Sequence, residues 1–177
     1  MNMRLAERQL KTRFGNYNEI LFYDGKSESV ALVMGDVEDE EHVLCRVHSS
    51  CLSAHVFNSI ECECREEMEK SQALIEQAGI GVIIWLDHEG KGNGHLALMK
   101  SIKFKKEGFN QGEAYEKAGY EADARSFHSA ADILNDLKVK SVVLLTNSPD
   151  KADDLRRASI NISETLQITT LEESESY

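Results

Sequence analysis

The sequence predicts an α/β (α+β) fold in which a mixed β-sheet is flanked by helices. Short apolar runs rich in Val, Ile and Leu, such as SVALVMG, GVIIWLD and SVVLLT, are typical of strands. The longer segment REEMEKSQALIEQAG places apolar residues near helical spacing. Because segments of the two kinds follow one another along most of the chain, we expect helices packed on a sheet.

In chain order, the N-terminal part contains the strand-like runs NEILFY, SVALVMG and HVLCRVHS, separated by the turn-prone acidic stretches DGKSES and DVEDEE. The first long helix stops at Gly79, since glycine commonly ends helices. GVIIWLD is a continuous apolar strand of the kind that is buried on both faces. Further helices are expected at about 95–107, 111–118 and 126–137. SVVLLT then leads through a loop into the helix of TNSPDKADDLRRA, and INIS is a candidate last strand.

Length and composition restrict the functional classes. The 177 residues contain no linker, repeat or low-complexity block, so we expect a single domain over 1–177 with an acidic end, about 171–177, that frays. Lys and Arg total 20 against 31 Asp and Glu, and a net charge of −11 argues against binding long nucleic acids. The chain has no apolar run of about 18 residues, so no membrane span is expected. It shows no secretory signal, and we expect a cytoplasmic protein.

Three cysteines, Cys51, Cys62 and Cys64, lie close together within RVHSSCLSAHVFNSIECEC. Three thiolates form a strong site for a soft metal and leave one position of a zinc tetrahedron open for water. Zinc lowers the pKa of a bound water towards about 7, so the cluster is the candidate centre of any chemistry. The alternative is a closed structural zinc with His48 or His55 as fourth ligand, and spacing alone does not separate the two.

Other interpretations of the cysteines are weaker. A disulfide is disfavoured because the chain lacks a secretory signal. Cys45 falls on a predicted strand, where a cysteine usually behaves as a small buried hydrophobic residue.

Two segments that follow predicted strands are suited to phosphate. WLDHEGKGNGHLALMK places three glycines and a lysine before a helix, where free N–H groups attract anions, although such turns often only reverse the chain. In LLTNSPDK the strand ends in Thr146 and Lys151 opens the next helix. Asn147 or Ser148 can cap this helix with Pro149 at its first position, but capping does not require Lys151.

Together these segments resemble the GTP cyclohydrolase II family, from about RFGNYNEI to INISETL. RVHSSC followed by CEC is the most specific part, and EGKGNG, GYEADARSF and LLTNSPDK are similar to the family's EGRNIG, GFAADERDF and LLTNNPKK. The resemblance implies one zinc ion per chain held by the three cysteines, Mg²⁺ on the phosphates, a nucleotide substrate and a homodimer. It also implies that water activated at the zinc attacks C8 of GTP, as the first step of opening the imidazole ring.

The resemblance also implies roles for individual residues. Asp123 corresponds to the proton acceptor and Arg125 to the arginine that acts at the α-phosphate as diphosphate leaves; the alternative is a solvated ion pair. Positions two apart on a helix do not face each other, so joint action requires a loop. Arg46 would meet the polyphosphate, or else form an ordinary surface ion pair. The positions implied in substrate binding are Arg46, Val47, His48, Ser49, Ser50, Glu67, Glu89, Gly90, Lys91, Gln111, Thr146 and Lys151.

Several positions differ from the family pattern. Ser50, Glu67, Lys91 and Gln111 replace its glutamate, glutamine, arginine and threonine, and its tyrosine falls at Ile102. Since isoleucine cannot transfer a proton, ring opening is expected to stop at a formamidopyrimidine product unless Tyr115 or Tyr120 substitutes. The alternatives are ring opening of another base, such as uracil, and a nucleotide- or zinc-binding protein without turnover.

Overall fold

The computed structural model describes residues 2–168, so the acidic end expected to fray lies outside the described residues. The chain separates into two compact units. The first consists of the chain up to His48, Arg65–Leu86 and the chain from Phe127 onward, and the second of Ser49–Cys64 and Asp87–Ser126. The expectation of a single domain stays a prediction.

The first unit is built on a mixed seven-stranded sheet, as the sequence predicts. In the order β1-β2-β3-β5-β4-β6-β7, the neighbours from β1 to β5 pair antiparallel, whereas β4 pairs with β6 and β6 with β7 in parallel. The strands are β1 (Met3–Thr12), β2 (Gly15–Tyr23), β3 (Glu28–Met34), β4 (Val43–Ser49), β5 (Gly81–Leu86), β6 (Val142–Leu145) and β7 (Ile162–Leu166).

Helices cover both faces of this sheet. The structure contains α1 (Leu52–His55), α2 (Cys64–Ala78), α3 (His95–Lys106), α4 (Gln111–Lys117), α5 (His128–Asp136) and α6 (Pro149–Arg157). Val82 and Ile84 of β5 belong to the core cluster that includes α5 and α6, whereas Ile83 packs with Ile75 of α2. Because alternate strand residues point to opposite faces, α2 covers one face and α5 and α6 the other. The prediction that GVIIWLD is buried on both faces is confirmed.

The parallel pairing of β4 with β6 determines where the first unit brings functional side chains together. Parallel strands end at the same edge of a sheet, and ligands of α/β folds commonly bind beyond that edge. Arg46 and His48 stand near the end of β4, and Thr146 follows β6 directly. Cys45 is completely buried in β4, as expected for a small core residue.

The second unit contains α1, α3, α4 and the loops around them. Asn110 caps α4 through a capping box with Glu113, in which each side chain accepts a hydrogen bond from the other residue's backbone N–H. Residues 121–127 lie between α4 and α5 without helical structure. Among the described residues, no helix is long and apolar enough to cross a membrane.

Candidate functional site

The three cysteines converge in the second unit. Cys51 is the N-cap residue of α1, Cys62 lies in the following loop and Cys64 begins α2. Their Sγ atoms all lie within 4.8 Å of one another, and those of Cys51 and Cys62 are 3.7 Å apart. All three thiols are free and partly exposed, so an ion could reach them. Within residues 2–168 this is the one such group of metal-ligating side chains, and it contains no histidine.

The donor set fits a soft divalent cation. Burial raises the pKa of the Cys51 and Cys64 thiols, and the neighbouring Cys62 raises them further, because charged sulfurs so close together repel one another. A bound cation removes this repulsion and favours the thiolates. Three thiolates suit zinc and leave one tetrahedral position for a further ligand. The geometry thus favours the open site over the closed one with a histidine ligand.

The glycine-rich segment after β5 forms a tight turn whose amides are used internally. Gly92 and Gly94 both donate their N–H to the backbone oxygen of Glu89, and the Asn93 N–H binds that of Gly90. A Cβ on Gly90 would lie 2.3 Å from the Gly94 oxygen, so the turn requires glycine here. The amides of Gly92, Asn93 and Gly94 therefore stabilise the turn. An anion at this segment would have to bind the unpaired N–H groups at the start of α3.

This turn holds the loop that carries Asp123 and Arg125. The Ala124 N–H donates to the Lys91 oxygen at 2.9 Å. A Cβ on Gly92 would lie 2.9 Å from the Ala124 carbonyl, which is too close for a side chain. Glycine at this position therefore allows the two backbones to approach each other. The Lys91 ammonium also lies 3.9 Å from an Asp123 carboxylate oxygen.

Asp123 and Arg125 form a bidentate ion pair within this loop, so the condition for their joint action, a loop at these positions, is met. Nε and Nη2 of Arg125 donate to the two carboxylate oxygens of Asp123 at 2.8 and 2.5 Å. Burial opposes ionisation of Asp123, but the hydrogen bonds from Arg125 outweigh it and hold the pKa of Asp123 below its ordinary value. The pair is only partly exposed, with 16% of the Arg125 side chain accessible.

Helices α3 and α4 contribute a polar contact and a buried phenol to the second unit. Nε2 of Gln111 donates to Oγ of Ser101 at 3.1 Å. Ile102 follows Ser101 on α3 and is partly buried. Tyr115 of α4 is 1% exposed, and burial, with Glu89 as the next cause, raises the pKa of its hydroxyl to about 12. The charges of Asp123, Arg125 and Cys51 also act on this hydroxyl.

Glu89 and the two serines before Cys51 also belong to the second unit. Glu89 accepts a hydrogen bond from the Leu52 N–H, and Ser50 Oγ donates to Asp87. Oγ of Ser49 is buried without a hydrogen-bond partner among the described residues, a position that a water or a ligand atom can satisfy.

In the first unit, Arg46 is enclosed by protein acceptors. Its guanidinium donates to Glu67 at 2.5 Å, to Nδ1 of His48 at 3.3 Å and to the Leu145 oxygen at 3.1 Å. Only 4% of Arg46 is exposed. The alternative of an ordinary surface ion pair is therefore wrong, because the Arg46 side chain is buried.

Thr146 and Lys151 lie at the same edge of the sheet as Arg46. Ser148 caps α6 by accepting the Lys151 N–H, with Pro149 in the first turn, so the capping interpretation of LLTNSPDK is confirmed. Lys151 is 8% exposed, and its ammonium donates to the Val47 oxygen at 2.5 Å. Thr146 Oγ1 accepts the Ser148 N–H at 3.1 Å. The Lys151 ammonium is thus held beside β4.

Sequence reasoning missed Asp87 and His95. Both hold parts of the second unit through hydrogen bonds, His95 through Glu89 at 3.2 Å. Neither has a spacing relative to the cysteines that a motif could detect. The only signal was position, since one follows a strand and the other opens a helix.

The chain is similar to proteins of riboflavin synthesis. It is 40% identical over 178 residues to riboflavin biosynthesis protein RibBA of Bacillus cereus, a match of 98% of this chain and 45% of that protein. It is 39% identical over 163 residues to GTP cyclohydrolase-2 of Actinobacillus succinogenes, covering 91% of this chain and 75% of that protein. The chain thus spans about half the length of the RibBA proteins that it matches.

A solved structure shares the fold. RibBX, a two-domain 3,4-dihydroxy-2-butanone 4-phosphate synthase from A. baumannii, matches 93% of this chain and 40% of its own with a TM-score of 0.51. The sequence identity is 18%, so this likeness concerns the fold alone. The GTP cyclohydrolase II family model matches residues 3–167. The chain therefore belongs to the GTP cyclohydrolase II family.

Proposed function

We propose that the chain is a zinc-dependent hydrolase that opens the imidazole ring of GTP or a related purine nucleotide. The observation that carries this proposal is the convergence of three partly exposed thiols in a member of this family. Cys51, Cys62 and Cys64 would hold one zinc ion. When bound, zinc supplies a Lewis acid that activates water at neutral pH.

Asp123 and Arg125 are proposed to act in sequence through their ion pair. Arg125 donates from Nε and Nη2 to the Asp123 carboxylate. These two nitrogens can bind an α-phosphate in bidentate fashion only after they release the carboxylate. Losing these hydrogen bonds raises the pKa of Asp123 towards its ordinary value and makes it a better proton acceptor. Binding of the phosphate thereby prepares the base.

Lys151, Thr146 and Arg46 are proposed to bind phosphate oxygens of the nucleotide. Two of the three already have close anionic or carbonyl partners, Arg46 with Glu67 and Lys151 with Val47. A triphosphate would add charge to a chain that already carries −11. We therefore infer that Mg²⁺ accompanies the nucleotide and neutralises phosphate oxygens.

The zinc assignment predicts that the purified protein carries about one zinc per chain. Cys62→Ser should lose both zinc and turnover, because each thiolate is a direct ligand. Metal analysis and an assay with GTP test this, with Cys45→Ser as the control for a cysteine outside the cluster. Removing Mg²⁺ by dialysis should stop turnover and leave the zinc content unchanged. Full turnover by protein in which all three thiols react as free thiols would contradict the assignment.

The roles of the ion pair predict that Asp123→Asn and Arg125→Ala each lower kcat by about 10²–10⁴-fold, because these groups act mainly in the transition state. Lys151→Ala should instead raise KM. Arg156→Ala is the matched control, since Arg156 is an exposed cation on the same helix. Steady-state kinetics with circular dichroism as a folding check separate these effects. Equally mild effects of all variants would reduce Asp123 and Arg125 to a structural pair.

The extent of the reaction depends on which hydroxyl serves in place of the family's tyrosine. Isoleucine at 102 offers none, whereas Tyr115 is buried within the electrostatic reach of Glu89, Asp123 and Arg125. A tyrosine hydroxyl is protonated at neutral pH, and the raised pKa of Tyr115 strengthens this, so Tyr115 is available only as a proton donor. We infer that formate release is slow and that a formamidopyrimidine nucleotide accumulates.

Mass analysis of early products from a panel of guanine, adenine and uridine nucleotides tests this inference. The expected result with GTP is a formamidopyrimidine nucleotide with less than stoichiometric formate, and Ile102→Tyr should raise the formate yield. Stoichiometric formate from the parent protein would overturn the inference. In that case, loss of formate in Tyr115→Phe would identify Tyr115 as the substitute donor.

We further propose a homodimer. Several large apolar side chains of the second unit face solvent, including Phe57 at 68% and Ile60 at 95% exposure. Leu96 and Met99 are also exposed and stand three residues apart on α3, hence on one face of the helix. Sedimentation equilibrium should give the mass of two chains, and Phe57→Asp should shift the protein towards one. A monomeric parent protein at micromolar concentration would contradict this proposal.

A further inference from the structure

The residues on both sides of Cys51 are held by carboxylates from the segment after β5. Oγ of Ser50 donates to Oδ1 of Asp87 at 3.1 Å. The Leu52 N–H donates to Oε2 of Glu89 at 2.8 Å. Cys51 therefore lies between two tethered neighbours, and the position of its sulfur depends on the segment that carries Asp87 and Glu89.

The contact with Glu89 satisfies a backbone N–H in the first turn of α1. The N–H groups of a first helical turn lack intrahelical partners, and the N-cap side chain usually accepts one of them. Here the N-cap residue is Cys51, and Leu52 is the first helical residue, whose N–H has no partner within the helix. Glu89 satisfies this first N–H from another segment, because an N-cap side chain usually reaches only the second or third N–H of the helix.

Glu89 is itself fixed in direction. Its second carboxylate oxygen lies 3.2 Å from Nδ1 of His95, and its backbone oxygen accepts the N–H groups of Gly92 and Gly94. Only 14% of its side chain is exposed. Because both carboxylate oxygens are engaged, Glu89 is placed to orient Cys51 rather than to act as a ligand.

We propose that Glu89 is a positioning residue for the metal ligand Cys51, acting through its hydrogen bond to the Leu52 N–H, with His95 orienting the carboxylate. The proposal rests on the proposed function only in that Cys51 binds zinc. It assigns to Glu89 a role in metal affinity that is separate from the nucleotide contact implied by the family resemblance. Residues that orient metal ligands typically contribute 10–100-fold to metal affinity.

The test measures zinc affinity in the full-length protein without nucleotide, by competition with a chromophoric chelator. Glu89→Ala should weaken zinc binding by about 10–100-fold and speed zinc release. Glu89→Gln should stay within about threefold of the parent, because the amide oxygen can still accept the Leu52 N–H. Glu116→Ala is the matched control, since Glu116 is an exposed glutamate of the same unit. Cobalt substitution adds a second readout, because its absorption bands report the geometry of the sulfur ligands.

The outcomes are distinguishable. Equal zinc affinity and an unchanged cobalt spectrum in Glu89→Ala would overturn the proposal, even if that variant lost nucleotide affinity. Equal weakening in Glu89→Gln and Glu89→Ala would also overturn it, since the charge and not the hydrogen bond would then matter. A parent protein that binds no zinc would overturn the proposed function as well. Circular dichroism of Glu89→Gln guards against loss of fold.

Discussion

The second unit depends on the tight turn that follows β5, because hydrogen bonds from two functional segments end on it. On one side, Asp87 accepts a hydrogen bond from the Ser50 hydroxyl and Glu89 one from the Leu52 N–H, on the two sides of Cys51. On the other, the Lys91 oxygen accepts the N–H of Ala124, which lies between Asp123 and Arg125. The glycines allow this, since a side chain at Gly92 would collide with the Ala124 carbonyl. A displacement of the turn would therefore move Cys51 and the ion pair together.

In the first unit, the charged side chain of Arg46 already has protein partners. The Arg46 guanidinium is buried, so it would lose a charged partner if it left Glu67 for a phosphate. A phosphate group would have to replace the carboxylate or share the guanidinium with it. His48 accepts from Nε of Arg46 and thus fixes the direction of the guanidinium. Binding of phosphate by Arg46 therefore requires a change in its contact with Glu67.

Much of the fold could be predicted because burial leaves a pattern in the sequence. The apolar run of β5 and the helical spacing of α2 both follow from contact with a core, and both predictions are confirmed. The sequence did not reveal β1, because Met3–Thr12 is exposed along most of its length and alternates no apolar face. It is held by pairing with β2, which is a backbone interaction. A helix as short as α1, with four residues, is also below what periodicity can detect.

The sequence could predict those parts of the site that consist of particular residue types at a fixed spacing. Three cysteines near one another predict a metal group, and the structure brings their sulfurs within 4.8 Å. The hydrogen bond from Leu52 to Glu89 spans 37 residues and depends on backbone geometry, so no local pattern encodes it. A thiolate ligand needs both its chemistry and a fixed backbone. The sequence motif specifies the first, whereas the second depends on a carboxylate that binds the backbone N–H of the next residue, Leu52.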